Sequence, residues 1–341
     1  MNRVIVLLAW LALIFSPAFA QDAPKPQPAP GLSNQQPAVP RPATPAPQTQ
    51  PTATAAPSAP APSASPASPE KQDKVVIPAA AERHFHQAIA FERDGNPENA
   101  IDEYKDALKE YPDYFQAHFY LGRLYLDRHG YAQAITELKA AVQLRPEDSD
   151  AHDLLGLALK RNHDVRGGLA EYQEAVRLNP RSSSAQSNLA GALYLLRDYP
   201  GAIQHYREAL ALLAKLKQTD QVRSDVASTH MNLASALDDA GKTDEAIAEY
   251  KEAIQLQPKN AEPHYNLAIL YQRRKDTTSA VAELHKAAKL APDWPTPHIL
   301  LARLLKDSDP KAAFDECVVA DGLTEDAKLH DLCGELQKKI Q

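Results

Sequence analysis

A unit of 34 residues recurs along most of this chain, and a repeat of that length admits few folds. Its cleanest copy runs from Ala227 to Asn260. The first half carries Leu233, Ala234 and Leu237 on one helical stripe, and Gly241 breaks it. The second half carries Ala246, Ile247, Tyr250, Ala253 and Ile254 at helical spacing. Pro258 ends it, because proline has no N–H and disfavours the α region in the residue before it. Each unit therefore reads as two helices, and a single pair cannot bury its apolar face alone.

Units begin at Ala81, Phe115, Ser149, Ser183, Ala227 and Ala261, spanning 81–114, 115–148, 149–182, 183–216, 227–260 and 261–294. A degenerate seventh covers 295–322, where Ala313, Cys317 and Ala320 follow the second-helix pattern with one residue missing. The eighth position is always small: Ala88, Gly122, Gly156, Ala190, Ala234, Ala268, Ala302. So are the twentieth, from Ala100 to Ala280, and the twenty-seventh, from Ala107 to Ala287. Small residues are needed where helices cross closely, since overpacking costs about 1–3 kcal/mol. The seventh position is leucine except at Gln87, and the twenty-fourth is Tyr104, Leu138, Tyr172, Tyr206, Tyr250 and Leu284.

This pattern of small and large residues resembles the tetratricopeptide repeat (TPR) family, from Ala81 to about Leu305. The resemblance implies an all-α TPR superhelix, an α-solenoid of stacked helix-turn-helix repeats. Two departures stand out. Histidine replaces the family's fourth-position tryptophan in six units: His84, His118, His152, His230, His264 and His298. The fourth unit lacks its closing proline, which predicts a helix running on through Leu216 and a loop at Lys217–Val226. Longer repeats of this kind occur in the family.

Local signals set the helix boundaries. Asn96-Pro97-Glu98 reads as N-cap, N1 proline and a favourable first-turn acid. Gly167-Gly168 reads as a weak spot, since glycine costs about 1 kcal/mol against alanine inside a helix. Past the array, 324–340 is expected as an amphipathic capping helix over the last apolar face. Cys317 and Cys333 fall on what read as adjacent antiparallel helices and are either a disulfide or two buried thiols.

The start of the chain predicts export. Residues 1–20 combine a basic start, an apolar stretch and the small-x-small site Ala18-Phe19-Ala20, the pattern of a cleaved signal peptide. No cysteine follows the site, so the lipid-modified N-terminal cysteine is excluded. Residues 21–78 are rich in Pro and Ala and poor in large apolar groups, which predicts a disordered spacer. No integral membrane segment is expected after cleavage, and a periplasmic or cell-envelope location follows.

Enzymatic chemistry finds no footing. There is no HExxH, and Gly241-Lys242-Thr243 lacks the earlier glycine and strand of a phosphate loop. Fourth-position histidines of neighbouring units lie at least a helix-packing distance apart, about 8–10 Å, too far to share a zinc ion. No metal or other cofactor is expected. The net charge of −7, with no basic run, argues against nucleic-acid binding.

The expected function is that of an exported protein–protein interaction scaffold. The alternatives are a non-catalytic subunit of an envelope assembly or polysaccharide export machine, and an accessory domain of an enzyme on another chain. The resemblance implies that first helices line a concave groove for a peptide or partner-protein segment, with positions five, six and nine pointing inward. These include Phe85, Ile89, Phe119, Tyr120, Arg123, Asp153, Leu154 and Leu157. Further along come Asn188, Asn232, Tyr265, Asn266 and Arg303. Aromatic anchors supply binding energy, and asparagine amides can both donate to and accept from a peptide backbone.

Overall fold

The computed structural model describes residues 76–324 and 326–341. The expected signal peptide, and the expected spacer up to residue 75, lie outside the described residues. Those described form fifteen helices and no strand. They pair as α1 (Ala79–Arg93) with α2 (Pro97–Glu110), α3 (Phe115–Asp127) with α4 (Tyr131–Leu144), and α5 (Ser149–Arg161) with α6 (Val165–Leu178). Next come α7 (Ser183–Leu195) with α8 (Tyr199–Leu213), α9 (Asp220–Asp239) with α10 (Thr243–Leu256), and α11 (Glu262–Arg273) with α12 (Thr277–Leu290). The last pair, α13 (Pro295–Leu305) and α14 (Pro310–Asp321), is covered by α15 (Ala327–Ile340).

The repeated small positions are where the helices meet. Ala88, Ala100 and Ala107 of the first repeat are wholly buried, as are Ala234, Ala246 and Ala253 of the fifth. Tyr104, Leu138, Tyr172 and Leu284 fill the space beside them and are equally inaccessible. The third repeat carries glycine on both sides of its crossing. A Cβ on Gly156 would stand 2.8 Å from the Tyr172 ring, and one on Gly168 would stand 2.8 Å from the Gly156 carbonyl oxygen. Glycine at 168 is therefore set by the approach of α6 to α5, beyond the helix weakening expected from its propensity.

Each turn inside a repeat is built alike. The fifteenth residue of the first six repeats has positive φ: Gly95, His129, His163, Arg197, Gly241 and Lys275. The following N–H reaches back five residues, as in Gly130 to Tyr125 O at 2.8 Å and Lys242 to Leu237 O at 2.8 Å. This is the Schellman termination, with an αL residue just past the helix. Aspartates 164, 198 and 276 then cap α6, α8 and α12 by accepting from the third backbone N–H onward. Asn96 stands at the cap of α2, yet its side chain makes no capping bond.

Boundaries differ from expectation around the insertion and at the start of the capping helix, which was expected at 324. Residues 220–226 are helical, where a loop was expected, and extend α9 at its N-terminus. Thr219 supplies the cap by accepting from the Val222 N–H, and Asp220 favours the first turn electrostatically. The Gln257 amide donates to Ser224 and ties the extension to the end of α10. The preceding helix stops at Leu213, before the expected Leu216. The capping helix begins at Ala327 and is capped by Asp326. Cys317 and Cys333 are joined by a disulfide, with Cα atoms 5.6 Å apart, which fastens α15 to α14.

Candidate peptide-binding groove

First helices form one layer of the array. α3 touches α5, α5 touches α7 and α7 touches α9, whereas no pair of second helices packs to the same extent. From α3 to α9, positions facing away from the second helices therefore share a continuous inner surface.

A network the sequence reading missed fixes how each pair closes. The fourth-position histidines do more than fill the tryptophan site. Nδ1 of His84, His118, His152, His230 and His264 meets a glutamate nineteen residues on, at 2.6–2.7 Å. These glutamates are 103, 137, 171, 249 and 283. In the fourth repeat the partners exchange sides, and His205 Nδ1 meets Gln186 at 2.7 Å. His298 pairs with Glu316 only eighteen residues on, because the starts of α13 and α14 are one residue closer than those of α3 and α4 or of α5 and α6. Nε2 of His118 and His152 reaches the carbonyl of Pro112 and Pro146 in the preceding repeat. Burial alone would lower the His118 pKa. The Glu137 hydrogen bond, the Pro112 carbonyl, and the charges of Glu137 and Asp113 outweigh it and raise the group above its ordinary value. The signal was present as histidine and glutamate recurring nineteen apart.

The structure sorts the expected groove residues into separate clusters. Phe85 is not a free anchor. It is buried, with ring centroids 5.1 Å from Tyr114 and 5.7 Å from Tyr104 and Tyr120, because position five of the first repeat lies beneath that aromatic cluster. Ile89 packs against the same cluster. Phe119 and Tyr120 are half-buried and meet edge to face at 5.5 Å. The Arg123 guanidinium lies 4.7 Å above the Tyr120 ring and donates to Glu92 at 2.7 Å. Glu92 also accepts from the Tyr104 hydroxyl, whose pKa burial and that bond raise far above its usual range.

In the third repeat, Leu154 and Leu157 are half-buried, and Asp153 binds across to the fourth. It accepts from Asn188 Nδ2 at 2.9 Å and Ser184 Oγ at 3.4 Å. Burial raises the Asp153 pKa against the lowering by these two bonds and by the Lys160 charge. Asn188 has thus committed one of its two amide N–H donors within the array. Asn232 and Asn266 are half-buried and make no side-chain hydrogen bond among the described residues. Tyr265 packs against Trp294 at 4.8 Å. Arg303 stands apart from the row, exposed in a hollow of about 520 Å³ between α13 and α15 that Lys328 and Glu335 also line.

No described helix is long and apolar enough to cross a membrane. Family models described as tetratricopeptide repeats match residues 91–158 and 154–216, and one described as a TPR repeat matches 234–275. No curated protein matches the sequence. Among solved structures, the array superposes on a TPR protein from Parabacteroides merdae with TM-score 0.56 and 15% identity, covering 76% of this chain and 99% of that one. The C-terminal part of a TPR repeat-containing protein from Cytophaga hutchinsonii gives TM-score 0.57 and 14% identity, covering 73% and 98%. A chain of the APC/C hetero-tetramer Cut9–Hcn1 gives TM-score 0.56 and 20% identity; the match covers 66% of this chain and only 42% of that one. Identities this low speak for the fold alone, and the repeat matches carry the family. The chain is a tetratricopeptide repeat protein.

Proposed function

We propose that this protein is an exported scaffold whose inner groove holds a peptide or partner-protein segment in extended form. Tetratricopeptide repeats are generally non-catalytic and serve protein–protein interaction. The finer reading rests on one observation. The inner layer keeps half-buried Phe119, Tyr120, Leu154 and Leu157 at one end, and at the other the Asn232 and Asn266 amides, unbonded among the described residues. Apolar side chains of a ligand would sit against the first set. Its backbone would exchange hydrogen bonds with the second, since each amide offers both donor and acceptor. Arg123 and Asn188 hold groove residues in place, through Glu92 and Asp153. The Cys317–Cys333 disulfide supports export, because such bonds persist in oxidising compartments.

The test is capture of partner protein from envelope extract, read by mass spectrometry. Phe119→Ala with Tyr120→Ala, and separately Asn232→Ala with Asn266→Ala, should each weaken capture while helical circular dichroism is retained. Undiminished capture by both folded variants would falsify the groove assignment.

A further inference from the structure

Half-buried Lys160 lies on α5 at the edge of the inner surface, its stem toward α6, and lacks the partner that three other repeats supply at its position. Of the five polar residues at the twelfth position of the first six repeats, three bind the next repeat at position nine or thirteen, and exposed Gln272 does not. Glu92 accepts from Arg123, the Tyr194 hydroxyl donates to Asp239 at 2.7 Å, and Asp238 accepts from Arg273. Lys160 holds the same place in the third repeat, but the next repeat offers Gly191 and Leu195 there. Neither side chain can accept from an ammonium. Among the described residues Lys160 has no hydrogen bond or ion pair from its side chain; its Nζ rests 5.4 Å from the centroid of the Tyr172 ring.

The tyrosine beneath it is short of a partner too. The Tyr104 hydroxyl donates to Glu92, and the Tyr250 hydroxyl meets Ser235 at 2.9 Å. The Tyr172 hydroxyl is buried with no partner among the described residues, since Leu157 and Lys160 replace those acceptors. Burial, with the neighbouring Arg161 charge, brings the Lys160 pKa down to about 8 against the pull of Asp153. Two adjacent donors at the α5–α6 crossing, beside the groove, are thus both incompletely satisfied, which is costly for buried groups.

We propose that Lys160 is the acid-recognition point of the groove, taking the carboxylate of an aspartate or glutamate side chain within the bound segment. The inference rests on the groove reading. A side chain is specified over a chain terminus because the inner layer continues on both sides of the third repeat. A segment reaching from Tyr120 to Asn232 passes Lys160 in mid-chain. The arriving carboxylate draws the Lys160 chain off the ring, accepts from Nζ, and gives the Tyr172 hydroxyl an acceptor.

The experiment selects displayed random peptides of about twelve residues, roughly 40 Å when extended, on the immobilised full chain and on its Lys160→Glu variant. Peptides won on the native chain should share an acidic residue at a fixed distance from an apolar pair. Replacing that acid by its amide should weaken binding about tenfold or more, as loss of a charge-assisted bond does. Lys160→Met, which keeps the aliphatic stem over Tyr172, should weaken it equally with an unchanged melting curve. Selection on Lys160→Glu should exchange the acid for lysine or arginine. Peptides without a shared acid, indifferent to Lys160→Met yet weakened by the Phe119/Tyr120 or Asn232/Asn266 pair of substitutions, overturn the proposal and leave the groove standing. An acid that proves to be the terminal α-carboxylate, lost on amidation of the peptide end, also overturns it. Failure to win any peptide above the bare support overturns this proposal and the groove reading together.

Discussion

At the scale of single residues, the fifteenth position of each repeat carries a conflict between local preference and the helix pair. Four side chains, those of His129, His163, Arg197 and Lys275, occupy left-handed backbone, with φ between 60° and 66°. An L-residue there costs roughly 1–2 kcal/mol, and glycine escapes that cost at the expense of its own larger unfolded-state entropy. Arg197→Gly should therefore raise stability by about 0.5–1 kcal/mol in urea melts, whereas Gly241→Ala should lower it by a similar amount. Gly168 behaves in the opposite sense from its propensity. Its missing Cβ faces the Gly156 carbonyl, part of a backbone that cannot swing aside. Gly168→Ala should destabilise by about 1–3 kcal/mol through overpacking, although alanine is the better helix former. A gain in stability would show that α5 and α6 can separate freely.

At the scale of elements, histidine–glutamate pairs lock first helices to second helices, and one of them sets a pH dependence. The His118 pKa is raised in the folded chain, so the stability it contributes is complete below the ordinary histidine value of about 6.5. That contribution is lost as pH rises through the raised value. Glu137→Gln should thus cost on the order of 1 kcal/mol at pH 5.5 and distinctly less at pH 8.5. Paired denaturant melts at the two pH values measure it, and a cost independent of pH would show that His118 stays neutral. Glu283 has the complementary sign. Burial raises its pKa, but the bonds from His264 and Lys286 prevail and hold it below the ordinary value. Its contribution is present above the unfolded value and is lost as pH falls through the lowered one.

At the scale of the whole molecule, each helix pair touches mainly its neighbours, so stability should approach a sum over repeats and their contacts. The ends and seams then matter most. The disulfide closes a loop of sixteen residues between α14 and α15, which by loop entropy stabilises the cap by about 3 kcal/mol. Cys317→Ser with Cys333→Ser should speed hydrogen exchange in α13–α15 and leave α1–α8 unchanged. Within the array, the non-helical stretch between Leu213 and Asp220 is the seam, and residues 214–219 are exposed. Limited proteolysis of the array should cut first there, with 220–226 protected by the helix they join. Early cuts within 220–226 would show that the extension of α9 frays.

The sequence alone determined the repeat and its helix pairs, because burial at close crossings tolerates only small residues and the 34-residue step makes that demand visible at Ala88, Gly122 and Ala234. It also marked the missing residue in the seventh repeat, which the His298–Glu316 spacing of eighteen reflects. The sequence did not determine which inner residues face a ligand. Phe85 and Phe119 both sit at position five, yet only the packing of Tyr114 and Tyr120 buries the first and leaves the second half-open. Asn188 and Asn232 likewise read alike, but Asp153 in the preceding repeat claims only the first. Helix periodicity is a property of neighbours along the chain. The freedom of a side chain depends on partners about 34 residues away, and only the stacking of repeats brings those together.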